Sequence, residues 1–156
     1  MINVEVFSES NLWNKKIKKK NIFFNKIVNF FPKKYRFIKK KASLTILLSN
    51  DKKIKKLNKK FRGKNKSTDI LSFPFEKRIN LKKSSYLGDI VISYESMDKL
   101  NKLDDLEFKN NVIKIFIHGF LHLLGYDHIK NKDFKKMLKE EEKIYKVIKT
   151  KIVKLV

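Results

Sequence analysis

The chain has no cysteine, only four glycines and two prolines, and just three arginines among its 39 basic residues. Without cysteine there is no disulfide and no thiolate ligand, so any metal site must be built from imidazole and carboxylate. The same absence is compatible with a reducing compartment. So little Pro and Gly argues against a flexible linker, and neither repeats nor a low-complexity tail are present. No apolar run is long enough to span a bilayer. The longest, residues 112–125, is interrupted by Lys114, His118 and His122. The first residues, Met-Ile-Asn-Val-Glu-Val, lack a basic region followed by an apolar stretch, so no signal peptide is expected. These features predict a soluble, cytoplasmic protein with no membrane partner. A single domain over residues 1–156 is expected, with 42% hydrophobic content for its core.

Acid is the scarcer charge: 16 Asp and Glu against 39 Lys and Arg give a net charge of +23. Residues 14–41 hold 12 basic residues and no acid, and residues 52–66 hold nine and no acid. Such flanks attract a phosphate backbone. A solubilising surface is the plainer alternative. Abundant Lys, Ile, Asn and Phe beside scarce Arg, Gly and Pro also suggests a biased genome, which leaves drift as an alternative source for part of the charge. Residues 111–128 are neutral, with Lys114 set against Asp127.

All three histidines fall in that neutral stretch, within His118-Gly-Phe-Leu-His122-Leu-Leu-Gly-Tyr-Asp-His128. On a helix, His118 and His122 share a face with Cβ atoms about 5–6 Å apart. Gly125 follows, a residue able to take the left-handed conformation that ends a helix and turns His128 back toward the other two. Three converging imidazoles leave a fourth position open, the zinc arrangement associated with catalysis. The spacing His-x3-His-x2-Gly-x2-His is shared with zinc proteases, whose first His is followed by a glutamate base. Here that position is Gly119, which cannot take a proton, so peptide hydrolysis becomes a minor alternative. The nearest carboxylate is Asp127, read equally as a proton shuttle, as a brace for a ligating ring, or as a turn former.

Periodicity supplies the surrounding elements. Ile2, Val4 and Val6 alternate as a first strand, and Trp13, Ile17, Phe24, Ile27 and Phe31 predict one helix over residues 12–31, stopped by Pro32. Residues 43–48 read as a second strand. Asp51 caps a helix carrying Ile54, Leu57 and Phe61 that Gly63 ends. Strands follow at 70–75 and 87–93, the former at an edge or ending early because Pro74 lacks a donor. Asp69 and Asp89 are placed at strand ends, within reach of the cleft or structural, with Asp89 in a turn after Gly88. A short helix opened by Ser93 carries Tyr94, Met97 and Leu100. Asp104 and Glu107 suggest a capping box for the long buried helix bearing the histidines. A final amphipathic helix runs over residues 133–148 through Met137, Glu141, Ile144 and Tyr145. The fold class is α/β (α+β): a single layer of about four mixed strands covered by helices, with the metal site at the end of a buried helix. Tyr126 and Phe73 could stack on an unpaired base, although aromatic residues at element ends are more often core.

Three blocks taken together resemble one family. They are Leu57-Asn58 through Arg62-Gly63 to Thr68-Asp69-Ile-Leu-Ser72-Phe73-Pro74-Phe75, then Leu87-Gly88-Asp89-Ile-Val-Ile-Ser93, then the histidine stretch. Their order and spacing are similar to those of the bacterial YbeY endoribonucleases, also called rRNA maturation factors. The initial strand and the last helix with Met137 and Glu141 match as well, and residues 15–41 match only in being helical.

The resemblance implies a zinc-dependent, single-strand-specific endoribonuclease in maturation of the small-subunit rRNA 3′ end and in ribosome quality control. It implies His118, His122 and His128 as ligands of one Zn2+ per chain, and Arg62 as the basic residue facing the cleft. Lys64 and Lys66 beside it are read as substrate contacts. RNA (a single-stranded rRNA precursor), the ribosome or its small subunit, and an assembly GTPase are the partners implied. Chemistry agrees, since a guanidinium fork holds two phosphate oxygens where an ammonium holds one. Arg62 is the only arginine in those blocks. If all three histidines bind metal, none remains for a paired acid–base mechanism. An RNA-binding assembly factor with a mainly structural zinc, and a metalloprotease-like hydrolase, are the competing readings.

Overall fold

Ile2 and Val4 point into the core while Asn3 and Glu5 face out, so the first segment forms strand β1 (Ile2–Ser8). The computed structural model describes residues 1–37, 40–76, 86–99 and 102–151. In chain order follow α1 (Leu12–Lys16), α2 (Lys20–Asn29), a 3-10 turn (Lys33–Tyr35), β2 (Ala42–Ser49), α3 (Asp51–Arg62), β3 (Ile70–Pro74), β4 (Tyr86–Ser93), α4 (Tyr94–Met97), α5 (Asp105–Leu123) and α6 (Asn131–Lys149). The sheet runs β1-β2-β4-β3, with β1, β2 and β4 parallel and β3 antiparallel at the edge. This is the mixed four-stranded α/β layer expected. Pro74 is the last residue of its edge strand, where a missing N–H costs no ladder bond.

Alternation along the strands divides two apolar regions. Leu44, Ile46, Leu48, Ile70, Ile90 and Ile92 join α2, α5 and α6 in the main core. Leu71 and Val91, with Leu47 and Phe73, point the other way and meet Ile54 and Leu57 of α3. The main core is aromatic: Phe24 and Phe116 lie edge to face at 5.2 Å, and Phe31 and Phe120 approach to 4.8 Å. Nine of the 19 residues of α5 are buried, so the helix carrying His118 and His122 is held along its length. Asp104 Oδ1 accepts from the Glu107 N–H at 2.8 Å, the expected cap.

Four expectations are corrected. The single helix over residues 12–31 is two helices, broken at Ile17, whose backbone is extended (φ −133°). Separate anchors override the continuous periodicity. The Trp13 indole N–H donates to the Ser49 carbonyl at 2.9 Å in α1. In α2, Asn25 and Asn21 accept the Val4 and Val6 N–H groups along the free edge of β1. The second helix ends at Asn29, before Pro32, which instead precedes the 3-10 turn. Asn50, not Asp51, caps α3: its backbone is extended and its side chain accepts from the Lys53 N–H at 2.9 Å. Asp89 is not in a turn. It pairs with Phe73 inside β4, and its carboxylate accepts from the Tyr86 hydroxyl at 2.6 Å. Leu100, expected on the short helix, lies outside the described residues.

Candidate metal centre

The helix α5 stops where the sequence places Gly125. Gly125 has φ +86°, its N–H donates to the His122 carbonyl at 2.9 Å, and the Tyr126 N–H reaches back to the Leu121 carbonyl at 3.0 Å. This pair of bonds is a Schellman motif, which reverses the chain and satisfies two terminal carbonyls. The turn continues through Asp127, whose Oδ1 accepts from the His128 N–H at 2.6 Å. Asp127 therefore shapes the turn; the rings of His118 and His122 are braced by other groups.

The three histidines converge. One ligand-capable atom from each of His118, His122 and His128 lies within 4.8 Å of the other two. His118 and His122 are half-buried and His128 is exposed, leaving the cluster open to solvent on one side. His122 Nδ1 lies 2.9 Å from the Tyr126 carbonyl oxygen. A carbonyl can only accept, so this nitrogen carries the proton and Nε2 keeps its lone pair. His118 Nδ1 is 2.7 Å from Glu141 Oε1, so a carboxylate holds that ring in the same tautomer. The two ε nitrogens then face each other at 3.0 Å. Two lone pairs aimed at one point repel unless a proton or a metal ion lies between them, and this spacing suits either. Burial, and next the neighbouring His118, push the His122 imidazole below its ordinary pKa, which favours the neutral form a metal requires. The donor set fits a divalent metal that takes nitrogen ligands.

The contact of Glu141 with His118 is not apparent from the sequence. An indirect signal was available: Met137, Glu141, Ile144 and Ile148 fall at i, i+4, i+7 and i+11, and three of these four are buried in the core. An acid on the apolar stripe of an amphipathic helix needs a partner inside. If Glu141 holds the His118 ring, Glu141→Gln should weaken metal binding about tenfold in a chelator-competition titration. Unchanged affinity would show that the contact is incidental.

A cleft of about 540 Å³ opens beside His118 and Glu141, walled by Asp69, Asn111, Lys114 and Ile115 among others. Asp69 lines this cleft, and its carboxylate also accepts from the Ile70 N–H at 2.9 Å. Arg62 ends α3, exposed, with no hydrogen-bond or ion-pair partner among the described residues. Lys64 and Lys66 follow in the exposed loop to Asp69, which Asn58 organises by donating to the Lys66 carbonyl at 2.8 Å. Phe73 packs against Phe61 at 5.2 Å on the α3 side, and Tyr126 packs on the main core.

Gly119 is buried and turned to the sheet. A Cβ there would lie 2.5 Å from Ile70 Cδ1 and 3.0 Å from Ser72 Oγ. The position that bears the glutamate base in zinc proteases here lets α5 lie close against β3.

A mixed α/β layer presents three histidines, from a helix end and its turn, in an arrangement that could hold a metal ion. The family model described as Endoribonuclease YbeY matches residues 7–149. The chain is 70% identical to the Endoribonuclease YbeY of Pelagibacter ubique (strain HTCC1062) over 97% of its own length and 99% of that protein. It is 38% identical to that of Buchnera aphidicola subsp. Schizaphis graminum, over 91% of this chain and 87% of that one. The solution structure of TM1509 from Thermotoga maritima shares the fold. It superposes with a TM-score of 0.55 at 24% identity, covering 99% of this chain and 93% of that one. The chain belongs to the Endoribonuclease YbeY family.

Proposed function

We propose that this chain is a zinc-dependent endoribonuclease that hydrolyses phosphodiester bonds in single-stranded RNA. The carrying observation is the pair of ε nitrogens aimed at each other at 3.0 Å, each ring braced at its other nitrogen. In this reading His118, His122 and His128 hold one Zn2+, and Glu141 and the Tyr126 carbonyl fix the first two rings. A bound zinc ion supplies Lewis acidity and makes a water acidic enough to ionise near neutral pH. Arg62 holds phosphate oxygens and offsets charge developing at phosphorus, with Lys64 and Lys66 steadying the flanking backbone. The Asp127 carboxylate, exposed beside His128 and with Oδ1 accepting the His128 N–H, would take up at its other oxygen the proton that the attacking water gives up. The family and the net charge of +23 support RNA as substrate. We assign the physiological role to maturation of the small-subunit rRNA 3′ end and ribosome quality control in the cytoplasm. The ribosome or its small subunit and an assembly GTPase are the partners, and residues 1–156 act as one domain.

A second reading keeps the protein as an RNA-binding assembly factor with a structural zinc. The absence of a carboxylate at position 119 favours it. Arg62→Ala separates the two: the enzyme reading expects cleavage of single-stranded RNA to fall about a hundredfold while zinc content stays unchanged. Double-stranded RNA should resist both proteins. Equal turnover by wild type and Arg62→Ala would remove Arg62 from the machinery.

A further inference from the structure

The N-terminal region, which the sequence marks only as helical, reaches the metal turn through one buried side chain. Tyr35 of the 3-10 turn is 4% exposed. Its hydroxyl bonds to Glu140 Oε2 and lies 3.2 Å from the Tyr126 hydroxyl. Lys34 Nζ stands 3.5 Å from the Tyr126 oxygen and 3.4 Å from Glu140 Oε2, and Lys143 donates to Glu140 Oε1 at 2.9 Å. Each phenol has one proton to give, so the order of donors is fixed. Tyr35 donates to Glu140, Tyr126 donates to Tyr35, and Lys34 donates to the Tyr126 oxygen. Bonds from Tyr35 and Lys143 hold the Glu140 carboxyl down to about 2, so the chain ends on an ionised anchor.

Tyr126 therefore has two tethered ends. Its ring hydroxyl belongs to this chain, and its backbone carbonyl accepts the His122 Nδ1 proton at 2.9 Å. We propose that Tyr35 is a positioning residue of the metal centre, setting the orientation of the His122 ring through Tyr126. Adjacent residues of α6 then brace the two helical histidines by different routes: Glu141 touches His118 directly, and Glu140 acts through Tyr35 and Tyr126. The inference rests on the metal reading proposed above. It concerns only how tightly and in what geometry the ion is held.

The test is metal affinity of the full chain, measured with Zn2+ against a chromogenic chelator, together with the visible spectrum of the Co2+-loaded protein. Wild type, Tyr35→Phe, Tyr126→Phe and the double variant are compared. Each single variant should bind about tenfold more weakly, the scale of losing an outer-sphere partner. Both should shift the Co2+ spectrum, and the double variant should lose little more than either alone, because both interrupt one chain. Thermal unfolding of the metal-free proteins should stay close to wild type. Wild-type affinity and spectrum in Tyr35→Phe, or additive losses in the double variant, would overturn the proposal while leaving the metal site standing. A wild type that binds no metal would overturn both. Should Tyr35→Phe fail to fold, Tyr126→Phe and Glu140→Gln decide: wild-type affinity in both rejects the tether.

Discussion

Replacing His122 by alanine should abolish stoichiometric metal binding and RNA cleavage while leaving the protein folded. His122 contributes one of two facing lone pairs, and its Nδ1 proton is already committed to the Tyr126 carbonyl. With it gone, His118 and the exposed His128 cannot close a three-ligand site. Affinity should drop by more than the roughly 10–100-fold that loss of an outer-sphere partner causes. The folding cost is small by comparison. The ring is half-buried and its burial already opposes protonation. The lost hydrogen bond is of order 1 kcal/mol, well inside a typical stability of about 5–15 kcal/mol. Circular dichroism and chelator competition on the same preparation check both halves. A folded His122→Ala protein that still binds one zinc tightly would remove the histidine cluster as the metal site.

The second large effect is expected at Gly119. Restoring the glutamate that zinc proteases carry after the first histidine should not create a protease; it should damage the fold. The new Cβ would press on Ile70 Cδ1 at 2.5 Å and Ser72 Oγ at 3.0 Å, with Ile90 Cδ1 at 3.3 Å behind them. All three atoms are side-chain ends that can give way, so the Cβ itself costs only about 1 kcal/mol, the low end for overpacking. A carboxylate turned between helix and sheet would add the cost of an unpaired buried charge, several kcal/mol more. Ser72 Oγ, buried and without a partner among the described residues, is one donor and too few to satisfy it. Denaturant unfolding should show a loss of about 3 kcal/mol or more, or no folded protein. A Gly119→Glu chain of wild-type stability with peptide turnover would reverse the argument that this side of α5 belongs to packing.

The histidine site was legible because it is local. Helical spacing sets His118 against His122, and Gly125 supplies the turn that returns His128, so eleven consecutive residues carry the geometry. The braces are not local. Glu141, Glu140 and Tyr35 stand 23, 105 and 91 residues from the groups they touch, and tertiary packing alone brings them together. The same contrast explains the elements. Alternation at Ile2, Val4 and Val6 and short apolar runs further on mark the four strands, and Pro74 marks one that lies at an edge or ends early, all from nearest neighbours in the chain. The break at Ile17 depended on where Trp13 finds the Ser49 carbonyl and where Asn21 and Asn25 meet β1, neither of which periodicity encodes. Gly119 shows both sides. Its identity announced that a protease base was missing, and only the approach of Ile70 shows what the glycine is for.

The measurement closest to the central claim is metal content joined to cleavage. Purified protein should carry one zinc per chain, lose cleavage of single-stranded RNA on complete chelation, and regain it when one equivalent of Zn2+ returns. Full RNA cleavage by protein from which all metal has been removed would contradict the account.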